Sequence, residues 1–316
     1  MQPELIDLQS IRCVSVSERE ILARDDDFAA PLRPNASLAD FLASLPALGA
    51  ARDLFALRDA IVTARRNDRT VLLSIGGRVL DRGLGPLIAR LIEDRVITAV
   101  AMTGAALVQD VEVALAGALL APKKDALLAG ELCPTEETGA LINEAIRFAA
   151  SEEMGIGQGV GTALLEREDV RISLSVLATA ARFRVPVSVH PAIGADSFNL
   201  HPKACGESLG AAGLRDLSLL AGVMREADEG VVVNVASSAV MPRVLLQALD
   251  AARNAGARIR ALTTAIIDPH ASRNATADIL TRLSAPDGKG FWLAGPDEIL
   301  LPLLFGAVVE SLGDDW

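Results

Sequence analysis

The sequence contains no tyrosine, and aromatic residues make up only 3% of its 316 positions. With hydrophobic residues at 51%, the core has to be built from Ala, Leu, Val and Ile. These side chains have no polar atoms to satisfy and suit strands buried on both faces. Lysine is confined to Lys123, Lys124, Lys203 and Lys289 while arginine is abundant, a bias read here as codon usage and not as function. Cys13, Cys133 and Cys205 are odd in number and widely spaced, with no C-x-x-C pair, which argues against a disulfide framework or a structural zinc site. No basic segment followed by an apolar stretch opens the chain. The longest apolar runs, Val113 to Ala121 and Ile299 to Val309, are too short to span a bilayer. The expectation is a soluble, cytoplasmic protein without a membrane partner. A formal charge of −11 repels phosphate backbones and disfavours nucleic acid as a partner. Its densest acidic run, Asp25 to Asp27, reads as a solvated loop.

Residues 1–65 differ from the rest and read as an N-terminal arm followed by helices. The charged, Pro-containing stretch Asp25 to Pro34 is a loop or arm. Ser37 is placed to cap a short helix through Phe41 to Leu45, and a second helix covers Ala51 to Arg66. Residues 66–316 alternate short apolar runs with helical segments. The strands are read at 70–75, 96–102, 185–190, 230–235 and 258–265. Such spacing implies parallel βαβ units. The fold class is therefore α/β: a Rossmann-like open, mostly parallel sheet with helices on both faces, preceded by a helical N-terminal segment. The strand from Val185 to Val189 is apolar at nearly every position and is expected to be central.

Ligands of open α/β sheets sit beyond the carboxyl ends of the strands, where helix N-termini favour anions. The turns to examine are Gly76-Gly77-Arg78, Thr103-Gly104-Ala105, His190 to His201, Ala236-Ser237-Ser238 and Thr264 to Asp268. Small residues let backbone approach a dinucleotide closely. One such turn is ordinary in any βα unit; a series at consecutive strand ends points to a nucleotide. The run Gly155-Ile-Gly-Gln-Gly-Val-Gly161 looks like a phosphate loop but follows a helix and not a strand, so the alternative is a surface loop or lid.

These strand-end segments carry a resemblance. Gly76 to Asp110, GGRVLDRGLGPLIARLIEDRVITAVAMTGAALVQD, resembles the deoxyhypusine synthase segment from T-S-N-L-x-S-S-G to T-A-G-G-V-E-E-D, without a gap. Val185-Pro186 with Asp196 resembles that family's I-P-V-F-x-P-A-x-T-D-G stretch, and Val232 to Leu246 its glycine-rich strand and catalytic turn. Leu262 to Ala265 is similar to its I-N-T-A turn, and Pro296 to Val309 to its closing helix. The resemblance covers about residues 70–312. It implies NAD at these turns and a homotetramer with shared sites. It also places Thr103, Gly104, Asp110, Asp196, Ser237, Ser238, Thr264, Ala265 and Asp268 around the cofactor.

The departures carry as much information. The lysine of the family's G-G-x-x-K-H-H, which traps the aminobutyl group of spermidine as an imine, falls at Met241, which has no amine. The polyamine-gripping Glu and Trp fall at Ile279 and Leu283. Gly77 and Arg78 replace Ser-Asn in the first turn and add a cation. Arg78 is either a two-point ligand for phosphate or carboxylate or a solvated arginine. His190, Asp196 and His201, with Glu207 nearby, are candidate acid/base residues after the third strand, although their spacing matches no zinc signature. Cys133 has no neighbour that would activate it and reads as inert. Three functions follow as expectations. The first is an NAD-binding enzyme that acts on a small amine, guanidine or carboxylate without a lysine adduct and does not make deoxyhypusine. The others are a metal-assisted hydrolase using His190, Asp196 and His201, and a non-catalytic ligand-binding homologue.

Overall fold

The computed structural model describes residues 3–131 and 134–313. Six parallel strands form one sheet: β1 (Val71–Ile75), β2 (Ala99–Thr103), β3 (Val187–His190), β4 (Val231–Val235), β5 (Thr263–Ile267) and β6 (Gly290–Leu293). Their order is β3-β2-β1-β4-β5-β6. The chain winds outward through β1, β2 and β3, then returns to place β4 on the other side of β1. The strand order reverses between these two, the topological switch of a doubly wound sheet.

Apolar strands become buried strands here because both faces are covered. Alternate residues feed two separate cores: Leu73, Ile75, Val100 and Val233 enter one, and Leu72, Ala101, Val232 and Ile266 the other. N-terminal to the sheet stand α1 (Leu38–Ser44) and α2 (Gly49–Arg66). The expected capping of the first helix by Ser37 is present, its hydroxyl accepting from Asp40 N at 3.1 Å. Between β1 and β2 lie α3 (Gly77–Asp81) and α4 (Gly85–Glu93). The long excursion from β2 to β3 carries α5 (Gly104–Ala116), α6 (Lys124–Ala129), α7 (Glu136–Ser151), α8 (Ile156–Leu165) and α9 (Val176–Phe183). The remaining crossovers are α10 (Gly206–Arg225), α11 (Met241–Asn254) and α12 (Arg273–Thr276), which runs into a π-helix, Ala277–Leu283. The chain closes on α13 (Asp297–Leu312). No helix among the described residues is long and apolar enough to cross a membrane. Cys133 lies outside the described residues.

Three local expectations are corrected. The strand after Pro186 is an edge strand, not a central one. Its apolar character comes from cover by α8 and α10, and α10 also shields it: the buried Asp216 accepts Val189 N at 3.0 Å and Gly157 N at 3.2 Å. A side chain thus takes a ladder donor that no neighbouring strand takes, one way of blunting a sheet edge. The strand read at 258–265 runs over Thr263–Ile267, which puts Thr264 and Ala265 inside the ladder opposite Val232 and Val233. β6 has too little apolar patterning to be seen in the sequence.

The glycine-rich run is neither phosphate loop nor lid. Gly155 precedes α8, and Gly157, Gly159 and Gly161 lie within it. A Cβ on Gly157 would come within 2.2 Å of Val187 O, and one on Gly161 within 2.8 Å of Leu177 O. These glycines let α8 lie against β3 and α9. Gly157→Ala is therefore expected to destabilise the protein by about 1–3 kcal/mol in urea unfolding. In contrast, Gly210→Ala, in the second turn of α10 with no atom within 4 Å of the new Cβ, is expected to stabilise it by roughly 0.5–1 kcal/mol. Equal effects of the two changes would contradict this packing role.

Candidate functional site

The seam between β1 and β4 is closed by polar groups inside the sheet. Ser74 and Asn234 pair across it, with Oγ and Oδ1 3.1 Å apart, and Asn234 Nδ2 donates to Ser237 O at 2.7 Å, fixing the turn that leaves β4. At the strand ends Gly76 N donates to Val235 O at 3.1 Å. A Cβ on Gly76 would lie 2.2 Å from Ala236 O, so glycine is required for the two turns to pass. Ala236 itself has φ +51°, a conformation costly for a residue with a Cβ. Strain of this kind persists where surrounding structure holds it and gathers at ligand sites.

Beside this seam lies a charged cluster. Arg78, in the first turn of α3, reaches to β5 and α13. Its Nε donates to Asp297 Oδ1 at 3.1 Å, and its Nη2 lies 3.4 Å from Asp268 Oδ1 without hydrogen-bond alignment. Asp268 also accepts from Ser238 Oγ at 3.2 Å and from His270 N at 2.9 Å, and its backbone oxygen accepts from Trp292 Nε1 at 2.9 Å. Asp268 and Asp297 are both buried. Arg78 is half-exposed and stands against two carboxylates, with Nη2 left without an aligned acceptor. Asp297, at the start of a helix, reads in the sequence as an ordinary acidic first-turn residue, and only its tertiary pairing marks it.

The other candidates are distributed around this centre. Thr103 caps α5, accepting from Ala106 N at 3.2 Å. Gly104 opens that helix with its Cα against the Asp196 carboxylate, since a Cβ there would meet Asp196 Oδ2 at 2.0 Å. Asp196 also accepts from Ala192 N at 2.7 Å, and burial raises its pKa. Asp196 therefore borders the strand-end edge. Asp110 is buried one layer below and holds the start of α9, accepting from Ser175 Oγ at 2.6 Å, Val176 N at 2.7 Å and Leu177 N at 3.1 Å. Burial raises its pKa to about 6. Thr264 Oγ1 donates to Ile279 O at 2.8 Å, anchoring the π-helix. Thr264 and Ala265 both lie within the strand, while Asp268 lies past its end.

The histidines do not converge. His190 ends β3, buried, with Nε2 3.0 Å from Ser188 Oγ. His201 is turned to α7, its ring against Gly139 and its Nε2 3.5 Å from Glu136 Oε2. Glu207 is exposed at the start of α10. Among the described residues no three His, Cys, Asp or Glu side chains are placed to hold a metal ion. Met241, Ile279 and Leu283 are fully buried in a single apolar cluster. The place where the resemblance puts an amine and its polyamine grip is thus filled with hydrocarbon. A cavity of about 630 Å³ lies elsewhere, between α7 and α8, and includes none of the strand-end residues.

No protein-family model matches the sequence, and a search of curated proteins gives no match. Solved structures do match in fold. A candidate deoxyhypusine synthase from Entamoeba histolytica superposes with a TM-score of 0.56 at 12% identity, over 88% of this chain and 95% of that one. The ternary complex of AgrE with ornithine and NAD+ gives 0.54 at 15% identity, over 86% of this chain and 35% of that one. ArgZ, an arginine dihydrolase from the ornithine-ammonia cycle in Cyanobacteria, gives 0.51 at 13% identity, over 84% and 34%. The chain spans about one third of the length of the ArgZ and AgrE chains. The likeness establishes the Rossmann-like α/β fold.

Burial holds the His190 pKa down, from 6.5 to about 4. The folded protein then binds fewer protons at this site than the unfolded chain between those values, so stability falls as pH falls from 6.5 to 4. A shift of this size corresponds to roughly 3 kcal/mol. Urea unfolding at pH 7 and pH 4 should show a larger acid loss for the native protein than for His190→Gln, by a sizeable part of that figure. Identical losses would mean that His190 is not buried as a neutral ring.

Proposed function

We propose that the chain binds NAD across the carboxyl edge of β1, β4 and β5 and acts on a small, amine-bearing substrate without a covalent lysine adduct. The observation that carries this reading is the β1–β4 switch itself. Two small-residue turns pass at a distance only glycine allows, Ser237 and Ser238 border them, and a buried charged cluster stands beside them. Open sheets bind ligand in this place. The residues fit a dinucleotide: the Gly76 turn passes Ala236 O at a distance that a Cβ would close, and the hydroxyls of Ser237 and Ser238 border it. The solved complex of AgrE with ornithine and NAD+, on the same fold, supports the choice of cofactor.

NAD, when bound, supplies a hydride acceptor. This chain's residues would bind, orient and move protons around it. His190, at the end of β3, is held neutral by burial with its pKa down to about 4, so at pH 7 it is a weak base and serves as a neutral polar group at the flank of the edge. With Met241, Ile279 and Leu283 packed as core, deoxyhypusine formation through a lysine imine has no nucleophile and no polyamine grip. Calorimetric titration with NAD+ tests the reading. Saturable binding is expected, weakened about tenfold or more in Ser238→Leu, whose bulk would enter the half-buried β4 turn, with little change in melting temperature. Absence of binding at millimolar NAD+, or equal binding by the variant, would overturn it.

We further propose a homo-oligomer, with a tetramer as the expected state. The N-terminal arm presents Leu5, Val16 and Leu22 at 93%, 89% and 90% exposure, with further apolar side chains between them. Isolated apolar residues on a surface are ordinary, but a whole segment of them marks an interaction site. Light scattering is expected to give a multiple of the chain mass, reduced when residues 1–29 are deleted; a monomer at micromolar concentration would contradict this.

A further inference from the structure

The Arg78–Asp268–Asp297 cluster is incomplete in a specific way. One guanidinium faces two buried carboxylates, which leaves a formal excess of one negative charge. Arg78 Nη2 is a buried donor with no aligned acceptor, and Asp297 Oδ2 is a buried acceptor with no donor. The carboxylate oxygens other than Asp297 Oδ2 are engaged. Asp268 is held by Ser238, His270 N and the nearby guanidinium, and Asp297 Oδ1 takes Arg78 Nε at 3.1 Å. Because that 3.1 Å contact joins the two groups, the spare donor and the spare acceptor sit on immediate neighbours. Buried polar atoms without partners are uncommon and costly, and two of opposite kind on a joined pair define what would complete them.

We propose that this cluster is the specificity element of the site and that it takes the head group of an α-amino acid. The ligand's carboxylate accepts from Arg78 Nη2, and its ammonium donates to Asp297 Oδ2. Both bonds are charge-assisted, and the two ligand groups stand on one carbon, as the two orphan atoms stand on one ion pair. The excess negative charge selects against a ligand that is only an anion, such as phosphate or a simple carboxylic acid. The guanidinium selects against one that is only a cation, such as a diamine. This assignment rests on the reading of the strand-end crevice as the substrate site, and it narrows the substrate from amines at large to amino acids. Arg78 and Asp297 are binding residues here; no bond to either is made or broken.

The test is a comparison of three probes that differ by one group: ornithine, putrescine, which lacks the carboxylate, and 5-aminopentanoate, which lacks the α-ammonium. Each is titrated calorimetrically into the full chain at saturating NAD+, with NAD+ binding measured separately. Ornithine is expected to bind at least about tenfold more tightly than either of the others. Arg78→Lys keeps the charge but loses the fork, and is expected to shrink the preference over putrescine while leaving that over 5-aminopentanoate. Asp297→Asn keeps the shape and is expected to do the reverse. Ratios between probes, not absolute affinities, are the readout, so a variant that merely loosens the fold moves all three together, which would overturn the assignment. Equal binding of the three probes by the native protein, or binding of none while NAD+ still binds, would also overturn it. Loss of NAD+ binding by the native protein would instead remove the cofactor reading on which it rests.

Discussion

The close passage of two backbone turns at the β1–β4 seam governs the arrangement of this molecule. Gly76 must have no Cβ for Ala236 O to lie where it does, and Ala236 must hold a left-handed conformation for β4 to turn away from the sheet. The Ser74–Asn234 pair and the Asn234 to Ser237 hydrogen bond keep both in place from inside the ladder. A rigid seam gives the strand-end edge a fixed shape, and Arg78, Ser238 and Asp268 are all carried on residues within a few positions of it. The polar groups of the seam have no freedom to rearrange, as expected where buried hydrogen bonds are fully satisfied.

Two environments set around this seam divide the chemistry. On one side Met241, Ile279 and Leu283 close up as hydrocarbon. On the other, the half-exposed Arg78 meets the buried carboxylates of Asp268 and Asp297, charge that is only partly matched. In doubly wound sheets the fold sets the ligand-binding edge while a few side chains decide what chemistry that edge can carry. His190 adds a third environment: a neutral imidazole two strands from the seam, roughly 10 Å away at the usual strand spacing.

Much of this is written locally. The alternation of apolar runs with helices, the cap at Ser37 and the small residues after β1, β2 and β4 could all be read from sequence because each depends on near neighbours. That Met241 offers no amine was legible as well, since a thioether needs no structure to interpret. What was not legible depends on partners far away in the chain. Whether a strand is central or at the edge depends on its neighbours, and at β3 the apolar signal came from helices α8 and α10. Asp110, expected at the cofactor, caps α9, and Asp216, which nothing in the sequence singles out, caps α8. Burial raises their pKa, to about 6 and about 7. The glycines of α8 are explained only by the backbone atoms they face. Asp297 gains its meaning from Arg78, 219 positions earlier.

The most direct measurement of the central claim is amide hydrogen exchange with and without NAD+. If the seam is the cofactor edge, NAD+ should slow exchange in peptides covering Gly76 to Asp81 and Ala236 to Pro242, with the peptide after Ile267 following. Protection confined to residues 137–167, which line the cavity between α7 and α8, with exchange at the seam unchanged, would contradict the account.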